Sequence, residues 1–200
     1  LRITDYMVSI SNNEIKKVKS LSQKKFRDET GLFTVEGDKM VDEAVKSSFT
    51  VEKIYKTEVI GEDAMARITA LSSPSPVLAV VRKPSDIYVS DASQLDDLLS
   101  EGGLFLALDT IRDPGNLGTI LRIADWFGIR HILCSEGTVD VFNPKCVQSC
   151  MGALARVKVH SCNLSEVLSQ LDMPIYGTFL DGKDIYQEPL SSTGVIIMGN

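Results

Sequence analysis

Leu104-Phe105-Leu106-Ala107-Leu108 is apolar at every position, and this run limits the fold more than any other feature of the chain. A strand with one wet face alternates apolar and polar residues, whereas an unbroken apolar run is a strand covered on both faces, as in a parallel sheet between layers of helices. The pattern recurs downstream. Ile129 to Cys134, Val157 to His160, Ile175 to Phe179 and Val195 to Met198 read as strands, with a loop and helix running up to Phe127 and further helices over 143–154 and 164–171. Strands alternating with helices imply right-handed crossovers. In such sheets ligands bind at the carboxyl ends of the strands.

Residues 1–83 follow a different pattern. Ile15, Val18 and Leu21 recur at helical spacing behind a cap at Ser11 or Asn12. A short strand follows over Gly31 to Gly37, then a helix over Asp38 to Lys46 with Met40, Val41, Ala44 and Val45 inward. Val51 to Tyr55 alternates as a strand, Gly61 to Leu71 reads as helix, and Val77 to Val81 is an apolar strand after Pro74 and Pro76. These elements predict a compact α/β unit over 1–83, a polar connector over 84–102 with a turn or two of helix at Gln94 to Leu99, and a second α/β unit over 103–200.

A net charge of −6 argues against a nucleic-acid binder, but the charge is uneven. Between Glu14 and Arg27 stand Lys16, Lys17, Lys19, Lys24, Lys25 and Arg27 against one acid. Taken alone, this run reads as a solvated helix face. A basic segment on an acidic body can still hold phosphates, because the interaction is local and screened over about 10 Å. No apolar run reaches the roughly 18 residues of a membrane span, and the first residues show no secretory leader, so a cytoplasmic protein is expected. Cys134, Cys146, Cys150 and Cys162 form no C-x-x-C pair, and with His160 they match no zinc spacing. Buried thiols and no metal are expected.

Chemistry concentrates after the first apolar strand, in Asp109-Thr110-Ile111-Arg112-Asp113-Pro114-Gly115-Asn116-Leu117-Gly118-Thr119-Ile120-Leu121-Arg122-Ile123-Ala124. Pro114 and Gly115 make a turn, Asp113 or Asn116 caps a helix, and Leu117, Ile120, Leu121 and Ala124 form its buried face. Gly118 and Arg122 are four apart, which predicts that glycine clears space beside the guanidinium for a substrate. The glycines do not make a G-x-G-x-x-G fingerprint, and no G-K-[ST] follows. On position alone, an arginine here is more often a solvated surface residue, and Asn116 a plain cap.

The whole string, D-P-x-N-x-G-x-x-x-R-x-A behind an apolar strand, resembles the first signature motif of the SpoU (TrmH-like) RNA ribose 2′-O-methyltransferases. The resemblance continues through Gly128-Ile129, Asn143-Pro144-Lys145, Cys150-Met151-Gly152-Ala153 and Val157-Lys158-Val159, with cysteine at 150 where the family often has serine. Ile196-Ile197-Met198-Gly199-Asn200 resembles the opening of the second motif. Lys24-Lys25, Arg27, Gly31, Phe33, Val35-Glu36-Gly37 and Glu43-Ala44 are similar to the family's N-terminal substrate-binding domain, itself like ribosomal proteins that bind kinked RNA.

The resemblance implies a ribosomal-protein-like α/β unit followed by a SPOUT-type α/β unit with a parallel sheet and a C-terminal trefoil knot. It implies methyl transfer from S-adenosylmethionine to a ribose 2′-hydroxyl, ribosomal RNA favoured over transfer RNA, and a homodimer with the arginine near the interface. Arg122 and Asn116 take the catalytic roles, facing one cleft. Thr178, Leu180, Gly199 and Asn200 are the candidate cofactor contacts, and Lys24, Lys25 and Arg27, helped by Arg82 and Lys83, the candidate RNA grips. The family's second and third motifs continue with a Glu, a Gly, a Ser and an Asn after the position of Asn200. A buried-type strand at Val195 to Met198 is a rare place for a domain to stop, so a truncated chain is expected. Rival readings are a non-catalytic RNA-binding or ribosome-associated protein of the same fold, which the Asn116–Arg122 set opposes, and a nucleotide-phosphate binder without RNA, which the basic first unit opposes.

Overall fold

Two sheets form, and they differ as the two sequence patterns do. The computed structural model describes residues 10–85 and 102–199. In the first half the order is α1 (Asn12–Ser20), α2 (Lys24–Thr30), β1 (Leu32–Glu36), α3 (Asp38–Lys46), β2 (Val51–Lys56), α4 (Thr57–Ile60), α5 (Glu62–Ile68) and β3 (Val77–Arg82). The three strands make an antiparallel sheet in the order β1-β3-β2. Its centre, β3, is apolar at Val77 to Val81 because both faces are covered. On one face Leu78 and Val80 meet Ile15, Val18 and Leu21 of the α1 region and Met65 and Ile68 of α5. On the other, Ala79 and Val81 join Met40, Val41 and Ala44 of α3. Val45, expected inward, is 52% exposed, because it stands one residue past the buried face of α3.

The second half continues with β4 (Leu104–Asp109), α6 (Pro114–Trp126), β5 (His131–Ser135), α7 (Pro144–Ser149), a 3-10 turn at Ala153–Ala155, β6 (Lys158–Cys162), α8 (Leu164–Ser169), β7 (Ile175–Gly177), a 3-10 turn at Ile185–Gln187 and β8 (Gly194–Gly199). The five strands are all parallel, in the order β6-β5-β4-β8-β7. The chain moves outward from β4 to β6, then crosses back to β7 and β8, so the order reverses at β4 and β8. The helix expected over 143–154 is broken, because Met151 and Gly152 take left-handed φ of 52° and 89° and end α7 early. Of the expected connector over 84–102, only its ends fall within the described residues, and the helix expected at 94–99 lies outside them.

One core joins the halves. Phe33 and Val35 of β1 and Met40, Val41 and Ala44 of α3 share a buried cluster with Leu117 and Leu121 of α6, Phe142, Val147 of α7 and Cys150 just past it. Phe33 and Phe142 pack with ring centroids 4.7 Å apart. Gly152 permits the close approach, since a Cβ there would stand 3.2 Å from Glu43 Cγ of α3.

Candidate functional site

The carboxyl ends of the parallel strands are aligned by register. Asp109 ends β4 opposite Gly199 of β8, and Gly177 ends β7 opposite Ile197. Thr178 closes this rim: its N–H and its Oγ1 both donate to the Ile197 carbonyl, at 3.2 and 3.1 Å. Beyond it Phe179 and Leu180 are exposed. Three of the four expected cofactor residues thus come from the end of β8 (Gly199) and the loop that leaves the adjacent β7 (Thr178 and Leu180), while Asn200 lies outside the described residues. Gly199 leaves the rim open beside β4, the nearest atoms to a Cβ there being the Asp109 carbonyl oxygen at 3.7 Å and the Asp109 Cβ at 3.9 Å. Thr110, just past β4, holds a left-handed φ of 58°, with its N–H donating to Ser135 Oγ at 2.8 Å.

From this rim α6 starts with Asp113 as its cap, accepting from the Asn116 N–H at 2.8 Å. Lys145 of α7 donates to the same carboxylate at 3.1 Å. The Asn116 amide, then the Lys145 ammonium, hold the Asp113 carboxyl below the usual aspartate range. Leu117, Leu121 and Ala124 are fully buried against the sheet.

Gly118 corrects an expectation. It faces inward, not toward a substrate: a Cβ there would stand 2.6 Å from the Cys146 carbonyl oxygen and 2.6 Å from Ser149 Cβ. Its absent side chain lets α7 cross α6. Arg122 is exposed, and among the described residues it makes no hydrogen bond or ion pair. Asn116 is exposed as well. Six helical residues separate them by about 9 Å of axis and about a third of a turn, so within one chain they do not face one cleft as expected. Arg122 also lies about 12 Å along the axis from Pro114 at the rim.

The expected RNA grips are each engaged. Arg27 is 1% exposed; its Nε and Nη2 donate to Asp140 Oδ2 at 2.9 and 2.6 Å, and its Nη1 to the Leu21 and Ser22 carbonyls. It ties the first half to the 136–143 loop of the second and cannot reach a phosphate from there. Lys83 has a side chain only 8% exposed, paired with Asp28 and set over the Phe142 ring. Lys24 pairs with Asp28, Lys25 with Glu29 and Arg82 with Glu52, all at the surface.

Sequence reasoning missed two features. Arg156 bonds Asp125 and Glu43 together, a second tie across the halves. Ile123, Trp126 and Phe127 are 50%, 85% and 74% exposed beside Arg122. The signal for the second was available: these apolar residues fall outside the helical period that Leu117, Leu121 and Ala124 define. All four cysteines are buried, and burial pushes the Cys134 thiol up to about 12 and Cys162 to about 11, far from a reactive thiolate. Among the described residues no group of three or more His, Cys, Asp or Glu is placed to hold a metal ion.

Comparison with known proteins adds the following. Residues 103–200 match the SpoU rRNA Methylase family and residues 12–83 the MRM3-like substrate binding domain. The chain is 31% identical to the 23S rRNA (guanosine(2553)-2′-O)-methyltransferase RlmP of Bacillus subtilis, over 96% of this chain and 81% of that protein. Among solved structures, a protein from Porphyromonas gingivalis assigned to the TrmH family of RNA methyltransferases superposes with a TM-score of 0.82 at 34% identity, covering 96% of this chain and 81% of that one. An AdoMet-bound rRNA methyltransferase from Sinorhizobium meliloti gives 0.81 at 26% identity, covering 95% and 78%.

Proposed function

Because the chain belongs to the SpoU rRNA methylase family, we propose that it methylates a ribose 2′-hydroxyl of ribosomal RNA with S-adenosylmethionine as donor. The observation that carries this reading is the meeting of Thr178 and Gly199 at one rim, at the point where the strand order reverses and where α6 begins. The open edge beside Gly199, with exposed Phe179 and Leu180 next to it, suits a ligand with an apolar ring and a polar tail. Backbone groups of Thr178, Leu180, Gly199 and Asn200 would hold that ligand. When bound, the cofactor supplies an electrophilic methyl group on a sulfonium.

The chain's own task is to align and activate a poor nucleophile. A guanidinium stays protonated to a pH above about 12, so Arg122 does not act as a plain base. It holds a phosphate next to the target ribose and stabilises the developing alkoxide, while a phosphate oxygen takes the hydroxyl proton. Asn116 positions the ribose rather than Arg122, since the two side chains diverge on α6.

The axial offset of Arg122 from the rim adds a requirement: a second copy brings the arginine to the site. The exposed Ile123, Trp126 and Phe127 beside it are the surface on which two copies pack, as a homodimer. The reading also includes a ribosomal-protein-like origin for the substrate-binding unit over 1–83, and a trefoil knot at the cofactor pocket of the methyltransferase unit over 103–200. Mapping 2′-O-methyl marks in cellular RNA after deleting the gene tests the activity. One ribosomal RNA mark is expected to vanish; an unchanged map refutes the reading. Co-expressing Arg122→Lys and Gly199→Val chains tests the dimer. An arginine acting across copies restores about a quarter of normal activity through mixed dimers, and one acting within a chain restores none.

A further inference from the structure

We infer that the groove between α1 and α5 is the surface that docks the phosphate backbone of the RNA substrate. The inference rests on the reading of RNA as substrate and says where that RNA is held. It starts from a contrast among the basic residues of the first half. Lys24, Lys25, Arg27, Arg82 and Lys83 each pair with a carboxylate, so their charge is largely offset at its source. Lys16, Lys17, Lys19 and Arg67 make no ion pair among the described residues. Lys19 donates to the Thr69 carbonyl at 2.6 Å and Arg67 to Asn12 Oδ1 at 2.9 Å, both neutral acceptors that leave the positive charge uncompensated.

Three of these cations converge. An open groove of about 600 Å³ is lined by Lys16, Lys19, Ser20, Ser22, Gln23 and Arg67, and among the described residues no carboxylate lines it. The acids of the two helices stand in their first turns: Glu14 is turned to Lys53 and Tyr55, and Glu62 and Asp63 lie at the start of α5. Lys17, Lys19 and Arg67 occupy last turns, where a cation also favours the helix itself. Lys16 stands mid-helix and has no such role, so it separates the two explanations. Among the described residues the groove offers cations, hydroxyls and an amide but no exposed large apolar anchor, which a protein partner would need at the centre of its interface. A polyanionic backbone needs none, since it is held by charge-assisted bonds and counterion release.

The test uses the full chain and in vitro transcribed, unmethylated 23S ribosomal RNA, with binding measured across a salt series. Lys16→Gln/Lys19→Gln/Arg67→Gln is expected to lower affinity at least about tenfold and to flatten the slope of log affinity against log salt by about 2 to 3, near 0.9 per lost duplex contact. Lys24→Gln/Lys25→Gln is expected to stay within about threefold. Lys16→Glu alone, at an exposed residue whose side chain bonds nothing among the described residues, gives the same direction of change without risk to the fold. An unchanged slope in the triple variant overturns the proposal, as does a loss confined to the Lys24/Lys25 pair. Wild-type chain that binds this RNA with a steep slope but transfers no methyl group refutes the activity and leaves the groove standing. Wild-type chain that methylates while the triple variant keeps its slope does the reverse.

Discussion

The seam between the two halves and the outer face of α6 each carry an arginine, and the two are used in opposite ways. At the seam Arg27 is buried and spends its donors on Asp140 and two carbonyls, and Arg156 bridges Glu43 and Asp125. On α6 Arg122 is exposed, bonded to nothing among the described residues, and flanked by uncovered Ile123, Trp126 and Phe127. A saturated guanidinium fixes one part of a protein to another. An unsaturated one beside bare apolar surface is available for something outside the chain. Residue type does not separate these roles; the partners do.

The largest expected effect is at the seam. Arg27→Ala leaves Asp140 without its cation in a buried place and should cost about 3–5 kcal/mol of stability, seen in urea or thermal unfolding. Arg122→Ala, by the same measurement, should stay within about 0.5 kcal/mol. Equal losses would erase the distinction between the two regions. Next comes Gly118→Ala, which pushes a methyl into the α7 backbone and should cost about 1–3 kcal/mol, with methyl transfer falling only as far as folding does. A stable variant with lost turnover would return Gly118 to the substrate. Arg156→Gln should cost less, about 0–1 kcal/mol per pair, since that side chain is 47% exposed.

The smallest effect concerns the α6 cap. The folded pKa of Asp113 lies below its ordinary 3.8, so its contribution is complete above that value and lost as pH falls through the lower folded one. Asp113→Asn should therefore remove that contribution at neutral pH, flatten the acid side of the stability profile and leave its strongly acid end nearly unchanged. An unaltered acid limb would mean that the cap contributes nothing.

Much of this was legible in the sequence. The unbroken run from Leu104 to Leu108 announced a covered parallel strand, and Asp113-Pro114 announced the start of α6, because both signals are local. Gly118 misled, since spacing on a helix says which residues share a face but not what that face meets. Arg27 misled for a similar reason. Its partner Asp140 is 113 residues away, and no local pattern encodes a pairing made only when two halves dock. The break after α7 (Pro144–Ser149) was hidden because Met151 takes a backbone conformation usually left to glycine. The strand expected over Ile175 to Phe179 stops at Gly177, which leaves Thr178 just past its end, where its hydroxyl caps the neighbouring strand at the Ile197 carbonyl.

The central claim is that Arg122, which bonds nothing among the described residues, acts in methyl transfer. Its direct test is a comparison of wild-type and Arg122→Lys full chains: S-adenosylmethionine affinity by calorimetry, and transfer of labelled methyl to ribosomal RNA 2′-hydroxyls. The account predicts unchanged cofactor affinity with a loss of turnover of about a hundredfold or more, because a lysine cannot reproduce the planar two-point grip. Near-normal turnover in the variant would contradict it.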